Sequence, residues 1–495
     1  MSVFDEFIKK EGTTFPGKTY AEELLRPVFN DQKAYLFDVM FDIHRAHVIM
    51  LAEQKIIGRV AAKKMLAGIN RVATLDKETL MYQPEFEDLF FLVEAKIREE
   101  IGADLAGNIH IGRSRNDMGI AMYRLVLRKH LLDLIHQSYQ LSEILLTQSK
   151  AHVKTYITGF THTQPAQPTT LGHYFLAIYD VLQRDIHRMW ASYAVVNQSP
   201  MGAAALTTTG FPIHRQRMCE LLGFDKIIEN SYDCIGGADY ILDVSTTIMT
   251  CMVNTGRWIQ DFLYYVTREA GYFKVADPYV QVSSIMPQKR NPVSIEHSRS
   301  LASSAYGDAL AAINMIHNTP FGDIVDTEDD LQPHLYRAFE KANRVMKLMV
   351  AVIATLEIDK EKTMKMARKS SITITELADT LAREHHVSFR TAHRIASRIA
   401  KKTLDEKKEL YDWDVSEINA LIGMDHVSLS ESEWKKMISP EHFVEMRSRQ
   451  GGPNPREVTR MIFDRKQQLD AVLKEYEKTV DKLNHTRSIL LAYTL

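Results

Sequence analysis

The chain has 495 residues, with 61 lysines and arginines against 63 aspartates and glutamates, and its formal net charge is −2. Hydrophobic residues make up 45% and charged residues 25% of the sequence, which excludes a disordered or fibrous protein. The near balance of charge argues against a protein built mainly to coat nucleic acid or an anionic membrane. We therefore expect a globular protein with neither of these partners.

The sequence shows no sign of membrane insertion or export. It contains no charge-free run of about 18 apolar residues, the length that a membrane span needs. Charged residues follow Met1 within a few positions, and no apolar export segment precedes them. Cys219, Cys234 and Cys251 have no close C-x-x-C spacing and are interpreted as reduced thiols that fill space. These features predict a cytoplasmic protein.

Helical periodicity dominates and predicts several long helices. Between residues 119 and 156, apolar side chains recur at spacings of three and four without proline or interior glycine. At 1.5 Å per residue, such a helix would extend over roughly 50 Å. Further long helices are predicted over 238–270, 294–316 and 331–356. Since helices of this length bury their apolar faces against one another, we predict an all-α bundle that also favours assembly between subunits.

Clusters of glycine, proline and asparagine mark the breaks and divide the chain into three predicted domains. Residues 1–112 form a mostly helical N-terminal domain, 113–360 the central long-helix bundle, and 361–495 a small helical C-terminal domain. Loops within or between the central helices are predicted at 157–168, 198–212, 277–292 and 317–330.

Polar and charged residues cluster at these breaks. The first cluster lies at the start of the first long helix. There Ser114, Arg115 and Asn116 combine a guanidinium and an amide with the backbone donors of a helix N-terminus. This combination suits a carboxylate or phosphate ligand. The alternative is an N-cap followed by surface arginines.

A second polar segment contains Thr161 and His162 among hydroxyls, amides and prolines. The prolines stiffen this segment, and the histidine is its one titratable group. The alternative for a lone histidine in a loop is a structural or solvated side chain.

The third segment begins with Ser283 and Ser284 and continues to Lys289 and Asn291, with Glu296 at the start of the following helix. It places two hydroxyls, an ammonium and an amide in one loop that contains two prolines. The alternative is an ordinary polar connection.

Together, the three segments resemble the signature regions of the fumarase/aspartase superfamily, most closely the argininosuccinate lyase family. The serine loop is similar to the superfamily pattern G-S-S-x-M-P-x-K-x-N. The His-x-Gly-Arg-Ser-Arg-Asn-Asp and Thr-His-x-Gln-x-Ala-Gln-Pro runs resemble those that separate argininosuccinate lyases from other members. The resemblance covers roughly residues 30–470.

This resemblance implies a homotetramer with a core of twenty helices, and active sites assembled from three subunits. It implies a reversible elimination in which a proton leaves Cβ of an N-substituted aspartate and the C–N bond breaks, giving fumarate and an amine. The partners are therefore small-molecule substrates and further copies of the chain, and neither a cofactor nor a metal is expected.

The resemblance also implies residue roles. Ser283 is the base, Lys289 supplies the electropositive surroundings that a hydroxyl base needs, and His162, oriented by Glu296, serves the departing amine or the carboxylate. Fixed positive charge and donors around one carboxylate stabilise the dianionic intermediate. The substrate-binding positions are Ser114, Arg115, Asn116, Thr161, Ser284 and Asn291.

The sequence departs from the family pattern at informative positions. Val282 replaces the glycine before the serine pair, which predicts a stiffer or differently shaped lid, because a β-branched residue does not readily adopt glycine-only angles. Phe90 stands where a histidine is usual. Ala238 stands where an arginine is usual.

The largest departure lies in the loop after Pro320. In an ungapped match, Asp323, Glu328 and Leu331 replace the tyrosine, glutamine and lysine with which the family binds the arginine moiety. The two acids suit a cationic amine, whereas the lost lysine weakens binding of an amino-acid carboxylate. The alternative is a shifted alignment, with the acids forming a solvated helix start.

We therefore expect a carbon–nitrogen lyase acting on an N-substituted aspartate other than argininosuccinate, such as one of the ethylenediamine-disuccinate type. The alternatives are an argininosuccinate lyase with a divergent loop, a catalytically silent structural tetramer, and an anion-binding module without turnover.

Overall fold

The computed structural model describes residues 3–424 and 426–494, and these residues form helices joined by loops and short two-stranded ladders. The helices before the first long one are α1 (Val3–Glu11), α2 (Lys18–Tyr20), α3 (Arg26–Tyr35), α4 (Phe37–Glu53), α5 (Arg59–Ala73), α6 (Leu89–Ile101) and α7 (Ala103–Gly107). The central helices are α8 (Arg115–Ala151), α9 (Leu171–Val196), α10 (Arg215–Leu221), α11 (Ser231–Gly236), α12 (Asp239–Tyr265), α13 (Val293–Ile316) and α14 (Gln332–Ala354). The remaining helices are α15 (Lys360–Ala367), α16 (Ile374–Arg383), α17 (Phe389–Asp405), α18 (Val415–Ile422), α19 (Glu431–Met437), α20 (Pro440–Met446) and α21 (Pro455–Ala492). The strands are β1 (Tyr156–Thr161), β2 (Gln164–Thr170), β3 (Gln198–Ser199), β4 (Lys226–Ile227), β5 (Phe273–Lys274), β6 (Gln281–Val282), β7 (Arg290–Asn291) and β8 (Glu357–Ile358).

Five long central helices form the bundle. Helix α13 packs between α12 and α14, while α8 packs against α9 and α14, and α9 also contacts α12. Their buried faces join one large hydrophobic cluster, which also takes in α4, α5 and α6. The predicted all-α bundle is therefore confirmed.

The four predicted long helices are present, with shifted ends. Helix α8 begins at Arg115, four residues before the predicted start, because Ser114 and Asp117 form a capping box there. Its 37 residues extend over about 55 Å. The helix ends at Ala151, before the predicted end, and a hairpin follows.

Two further long helices were missed by the sequence analysis. The first is α9, with 26 residues. The second is α21, whose 38 residues include only five buried side chains and pack against α4, α8 and α9. Helix α21 lies within the region 361–495 that was predicted to be a small helical C-terminal domain, and the three domain boundaries stay predictions.

A separate hydrophobic cluster lies in the C-terminal part. It is formed by buried residues between Leu377 and Ile438, and Trp413 and Trp434 are its largest side chains. The C-terminal part of the chain therefore contributes both a satellite core and, through α21, a helix against the main bundle.

The segment predicted as a loop at 157–168 is instead an antiparallel hairpin of β1 and β2. His162 (φ 51°) and Thr163 (φ 61°) both have left-handed backbone conformations and form its two-residue turn. Turns with positive φ at both central residues match the twist of the flanking strands. His162 is thereby held at an exposed tip.

The described residues contain neither a membrane-spanning helix nor a disulfide. Within residues 3–424 and 426–494, no helix is long and apolar enough to cross a membrane. Cys219, Cys234 and Cys251 are all buried and form no disulfide, as expected for thiols that fill space.

Candidate active site

The N-terminus of α8 is organised by its own side chains. The Ser114 Oγ accepts a hydrogen bond from the Asn116 backbone N–H (3.3 Å) and donates to Asn116 Oδ1 (3.0 Å). The N-cap alternative is thus correct for Ser114. It does not account for Arg115 and Asn116, whose side chains reach other segments of the chain.

Asp117 ties this helix start to the loop after β3. Its side chain is buried and accepts hydrogen bonds from the backbone N–H groups of Ser114 (2.9 Å), Gly202 (2.9 Å) and Ala204 (3.0 Å). Burial raises the pKa of Asp117 to about 6, against the lowering effect of those three donors. No role for Asp117 was expected from the sequence, although the Ser-x-x-Asp spacing is a capping-box signal.

Arg115 is held by carboxylates. Its guanidinium donates to Asp88 Oδ2 (3.2 Å) and Glu87 Oε1 (3.5 Å), and it lies 4.8 Å from the centroid of the Phe91 ring. Burial raises the pKa of Asp88 to about 6. A substrate carboxylate would compete with Glu87 and Asp88 for this guanidinium.

The loop after Pro320, which contains Asp323 and Glu328, contacts the N-terminus of α8. The Asn116 Nδ2 donates to Asp323 Oδ2 (2.9 Å) and to the carbonyl oxygen of Ala205 (3.2 Å). Burial, followed by the hydrogen bond and charge of Asp323, raises the pKa of Glu328 to about 8. Glu328 therefore keeps its proton near neutral pH, and the pair carries less charge than two separate carboxylates. The alternative in which Asp323 and Glu328 form a solvated helix start does not match this arrangement.

Asp329, the residue after Glu328, forms hydrogen bonds with buried polar side chains. Asp329 accepts from Gln32 Nε2 (3.0 Å) and from the Tyr123 hydroxyl (3.5 Å), and burial raises the pKa of Asp329. Leu331 is 0% exposed and belongs to the main hydrophobic cluster. In the place expected for a substrate-binding lysine, this chain therefore has a core residue.

The serine loop is carried on a short ladder. Strands β6 and β7 pair Val282 with Arg290 and Gln281 with Asn291, so the loop projects from their ends. Val282 lies in this ladder, and it is not among the residues with positive φ. The expected conflict between valine and glycine-only angles is therefore absent, and the prediction of altered lid motion is untested.

Ser283 accepts two backbone hydrogen bonds within its loop. Its Oγ lies 3.1 Å from the Met286 nitrogen and 3.4 Å from the Ile285 nitrogen. Donors aimed at an oxygen favour its charged form, which is the change that a serine base requires. The neighbouring side chains of Val282 (71%) and Ile285 (83%) are strongly exposed.

The other residues predicted to act with Ser283 make no side-chain hydrogen bond to it among the described residues. Ser284 and Lys289 are exposed on the loop, Asn291 is half-buried in β7, and Glu296 is exposed in the first turn of α13. Among the described residues, Glu296 makes no hydrogen bond or ion pair with His162. The predicted pairing of these two is thus not made within one protomer.

The two groups of candidate residues lie at opposite ends of the bundle. Ser114 precedes α8, whereas the hairpin bearing Thr161 and His162 follows its C-terminus, about 55 Å away along the helix axis. The ring contact of Phe160 with Tyr264 (5.7 Å) places that hairpin beside the C-terminal end of α12, which leads into the serine loop. A single chain therefore brings Ser114, Asn116, Asp323 and Glu328 together and leaves Ser283 and His162 apart from them.

In the part of the chain that the structure describes, no group of three or more histidine, cysteine, aspartate or glutamate side chains is arranged to hold a metal ion.

A five-helix bundle with a serine loop and a histidine hairpin at one end, and a Ser-Arg-Asn helix start at the other, defines a lyase of the fumarase/aspartase superfamily. A family model described as "Lyase" matches residues 22–307, and one described as "Argininosuccinate lyase C-terminal" matches residues 371–445. The second match coincides with the satellite hydrophobic cluster.

Curated relatives point to the same family. The chain is 41% identical over 452 residues to argininosuccinate lyase 2 of Agrobacterium fabrum, covering 90% of each protein. It is 34% identical over 465 residues to argininosuccinate lyase of Methanocaldococcus jannaschii, covering 94% of this chain and 95% of the relative. The chain belongs to the argininosuccinate lyase family, whose carbon–nitrogen lyases release fumarate, and it is an enzyme of that class.

A solved structure is similar over nearly the whole length. The crystal structure of EDDS lyase in complex with formate superposes with a TM-score of 0.84 at 28% identity, covering 94% of both chains. The chain is thus similar both to argininosuccinate lyases and to an EDDS lyase.

Proposed function

We propose that this lyase releases fumarate from an N-substituted aspartate whose amine portion is cationic, such as one of the ethylenediamine-disuccinate type. The observation that carries the proposal is the position of Asp323, which Asn116 holds beside the α8 N-terminus and which lies next to Glu328. The ionised carboxylate of this pair attracts an ammonium group and repels the carboxylate of an amino acid. The similarity to EDDS lyase supports this choice.

The proposed mechanism begins at the serine loop. Ser283, whose Oγ accepts two backbone hydrogen bonds, removes the Cβ proton. Lys289 and Asn291 stabilise the resulting aci-carboxylate together with donors from Arg115 and Asn116, because preorganised positive charge lowers the energy of such an intermediate. The C–N bond then breaks and its electrons leave with the amine.

His162 serves the departing nitrogen. As a histidine at an exposed hairpin tip, it is free to donate a proton to the leaving amine or to hold a carboxylate, and Glu296 of another chain orients it. Thr161, Ser114 and Ser284 complete the carboxylate-binding groups. No cofactor or metal takes part in this proposal.

The proposed active unit is a homotetramer in the cytoplasm. The separation of Ser283 and His162 from Ser114 and Asn116 along α8 supports assembly, since one chain alone does not bring them together. The exposed side chains of Val282 and Ile285 support it further, because exposed apolar groups on a loop are suited to contact with another chain.

A second candidate is argininosuccinate lyase activity. It is favoured by the identity of 41% and 34% to curated argininosuccinate lyases. The guanidinium of an arginine portion is also cationic, so the acidic pair alone does not exclude it. The buried Leu331 argues against it, because it offers no cation to the arginine carboxylate.

The test follows fumarate absorbance with the purified protein. Fumarate is incubated with ethylenediamine, other diamines and amino acids, and argininosuccinate is tested in the cleavage direction. We expect fumarate consumption with a diamine and little release from argininosuccinate. Release from argininosuccinate at about 1 per second, an ordinary enzymatic rate, would reverse the assignment.

The structural alternative is tested in the same assay. Ser283→Ala should abolish turnover and leave the fold intact. If neither protein consumes or releases fumarate with any amine, a silent scaffold or an anion-binding module replaces the proposal, and fumarate binding distinguishes these two.

A further inference from the structure

Gln32 is a buried polar residue on a face of α3 that otherwise packs into the core. The helix buries Phe29 and Gln32, which are three positions apart and therefore lie on the same face. Gln32 is 9% exposed. A buried side-chain amide lowers stability unless both its oxygen and its nitrogen find partners. The hydrogen bonds of Gln32 therefore indicate why a glutamine stands on this face.

The Gln32 amide joins two segments that are far apart in the sequence. Its Oε1 accepts a hydrogen bond from the Leu89 backbone N–H (3.1 Å), and its Nε2 donates to Asp329 Oδ1 (3.0 Å). Leu89 is the first residue of α6, so its N–H has no partner within that helix. One side chain thus serves a helix N-terminus at one end and a carboxylate at the other.

These two segments belong to different halves of the proposed site. Leu89 directly follows Asp88, one of the two carboxylates that accept hydrogen bonds from the Arg115 guanidinium. Asp329 directly follows Glu328, which lies beside Asp323 in the proposed amine site. The Gln32 amide therefore spans the distance between the residues that hold Arg115 and the loop that carries the two acids.

We propose that Gln32 is a positioning residue for the lyase reaction, which fixes the spacing between Arg115 and the Asp323–Glu328 pair and thereby the fit of the amine. It acts through Leu89 and Asp329 and not by contact with the substrate. The inference rests on the proposed function for the roles of Arg115 and the acids, and it does not depend on which amine is bound. An apolar residue at this position would leave the Leu89 N–H and the Asp329 carboxylate without this partner.

The charge of Asp329 is also affected by this amide. Burial raises the pKa of Asp329, whereas the hydrogen bond from Gln32 lowers it. The Tyr123 hydroxyl is a more distant donor to the same oxygen, at 3.5 Å. Gln32 is therefore the closer of these two side-chain donors to Asp329.

Gln32→Glu tests the link while preserving the shape of the side chain. When protonated, the introduced carboxyl group still donates to Asp329 and accepts from the Leu89 N–H. When ionised, it keeps the acceptor and loses the donor, and two carboxylates then face each other. Relative to wild type at the same pH, kcat/KM for the amine should fall about ten-fold between about pH 5 and about pH 9.

The kinetic constants separate positioning from catalysis. The loss should appear in KM for the amine, with kcat changed less than about two-fold, because the contacts of a bound amine are similar in the ground and transition states. Division by the wild-type value at each pH removes the titration of Asp88, Glu328 and Asp329, whose pKa values burial raises.

A reversed hydrogen bond provides the rescue. Gln32→Glu combined with Asp329→Asn exchanges donor and acceptor, so that the introduced carboxylate accepts from the introduced amide and from the Leu89 N–H. Near pH 9, the double variant should recover kcat/KM to within about three-fold of wild type. Asp329→Asn alone keeps an acceptor for Gln32 and completes the double-mutant cycle.

Gln137→Glu is the matched control. Gln137 is half-buried on α8 and makes no side-chain hydrogen bond among the described residues. It lies about 33 Å along the helix from Arg115. Its kcat/KM relative to wild type should not change with pH.

Three results would overturn the inference. They are equal pH profiles for Gln32→Glu and Gln137→Glu, no recovery in the double variant, and a lower free energy of unfolding for Gln32→Glu with an unchanged KM. The last result would make Gln32 a structural residue only. If Gln32→Glu does not fold near pH 9, its KM near pH 5 and the double variant at both pH values decide the question.

Failure of this inference is distinct from failure of the proposed amine specificity. The assay uses the amine that the wild-type protein accepts, and argininosuccinate in the cleavage direction if no diamine reacts. The preference of the wild-type protein decides the proposed specificity, whereas the ratio of variant to wild type decides the role of Gln32.

Discussion

The side-chain amide of Asn116 donates a hydrogen bond of 2.9 Å to the carboxylate of Asp323, across 207 positions of sequence. This bond joins the helix start that is proposed to bind the fumarate portion to the loop that is proposed to bind the amine. The same amide nitrogen donates to the carbonyl of Ala205, so Asp323 is held in a defined position. Changes in this loop are therefore expected to alter amine selection without rebuilding the bundle.

Asp323→Asn should reduce selectivity for cationic amines. We expect the ratio of kcat/KM for ethylenediamine to that for ethanolamine, measured as fumarate consumption, to fall about ten-fold, because a charge-assisted bond becomes a neutral one. Asp326→Asn is the control, since it removes the same charge from an exposed position of the same loop. Equal ratios in all three proteins would remove Asp323 from the amine site.

Glu328 should give the stability of the protein a distinct pH dependence. Its pKa is raised from 4.5 to about 8, so the native state favours the protonated form. The stabilisation from this proton is fully present below the unfolded pKa and is lost as the pH rises through the folded pKa. Relative to Glu328→Gln, the wild-type free energy of unfolding should therefore fall between about pH 5 and pH 9.

Denaturant unfolding of the two proteins across that range measures the effect. The difference between them, not either curve alone, isolates Glu328 from the other titrating groups. A constant difference would show that Glu328 has an ordinary pKa in the folded protein.

Asp117→Ala should destabilise the fold and disorder the site. Three buried backbone N–H groups lose their acceptor, which should lower the free energy of unfolding by about 3 kcal/mol. The control is Asp133→Ala on the same helix, because the Asp133 side chain makes no hydrogen bond among the described residues and its loss should cost less than about 1 kcal/mol. Denaturant unfolding compares them, and equal losses would contradict a positioning role for Asp117.

Two inactive variants should complement each other when mixed. Ser283→Ala and Asn116→Ala alter residues at opposite ends of the bundle, which different chains would contribute to one site. After denaturation and joint refolding of equal amounts, about a quarter of sites should hold both native residues, as random assembly of a symmetric oligomer requires. Fumarate assays before and after mixing measure the gain, and no gain would place both residues of a site on one chain.

The chemistry of the site could be predicted further from the sequence than its geometry. The Ser283 loop, the Thr161–His162 segment and the Ser114–Asn116 segment were each identified from residue types and from the family resemblance. The distance between these segments follows from the length of α8, and the apolar periodicity of the sequence predicts that long helix. The contacts of Arg115 with Glu87 and Asp88 were not predictable, because no pattern links residues that meet only through packing.

The missed elements have physical explanations. Helix α21 is largely exposed, so its few buried side chains give a weak periodic signal over 38 residues. The sequence predicts a loop in place of the β1–β2 hairpin because prolines occupy its second strand and its turn, His162–Thr163, lacks the glycine or asparagine typical of such turns. In each case tertiary context, not local preference, determines the structure.

The length of α8 also has a consequence for how activity depends on the amount of protein. In the proposed assembly, the two groups of candidate catalytic residues lie at opposite ends of α8, a helix of about 55 Å, so a solitary copy should be inactive. Turnover per chain should then fall steeply on dilution below the concentration at which copies associate. In a cell that makes both intact and defective copies, a defective copy should also lower the output of the intact ones, because in the proposed assembly each copy contributes residues to its neighbours' sites.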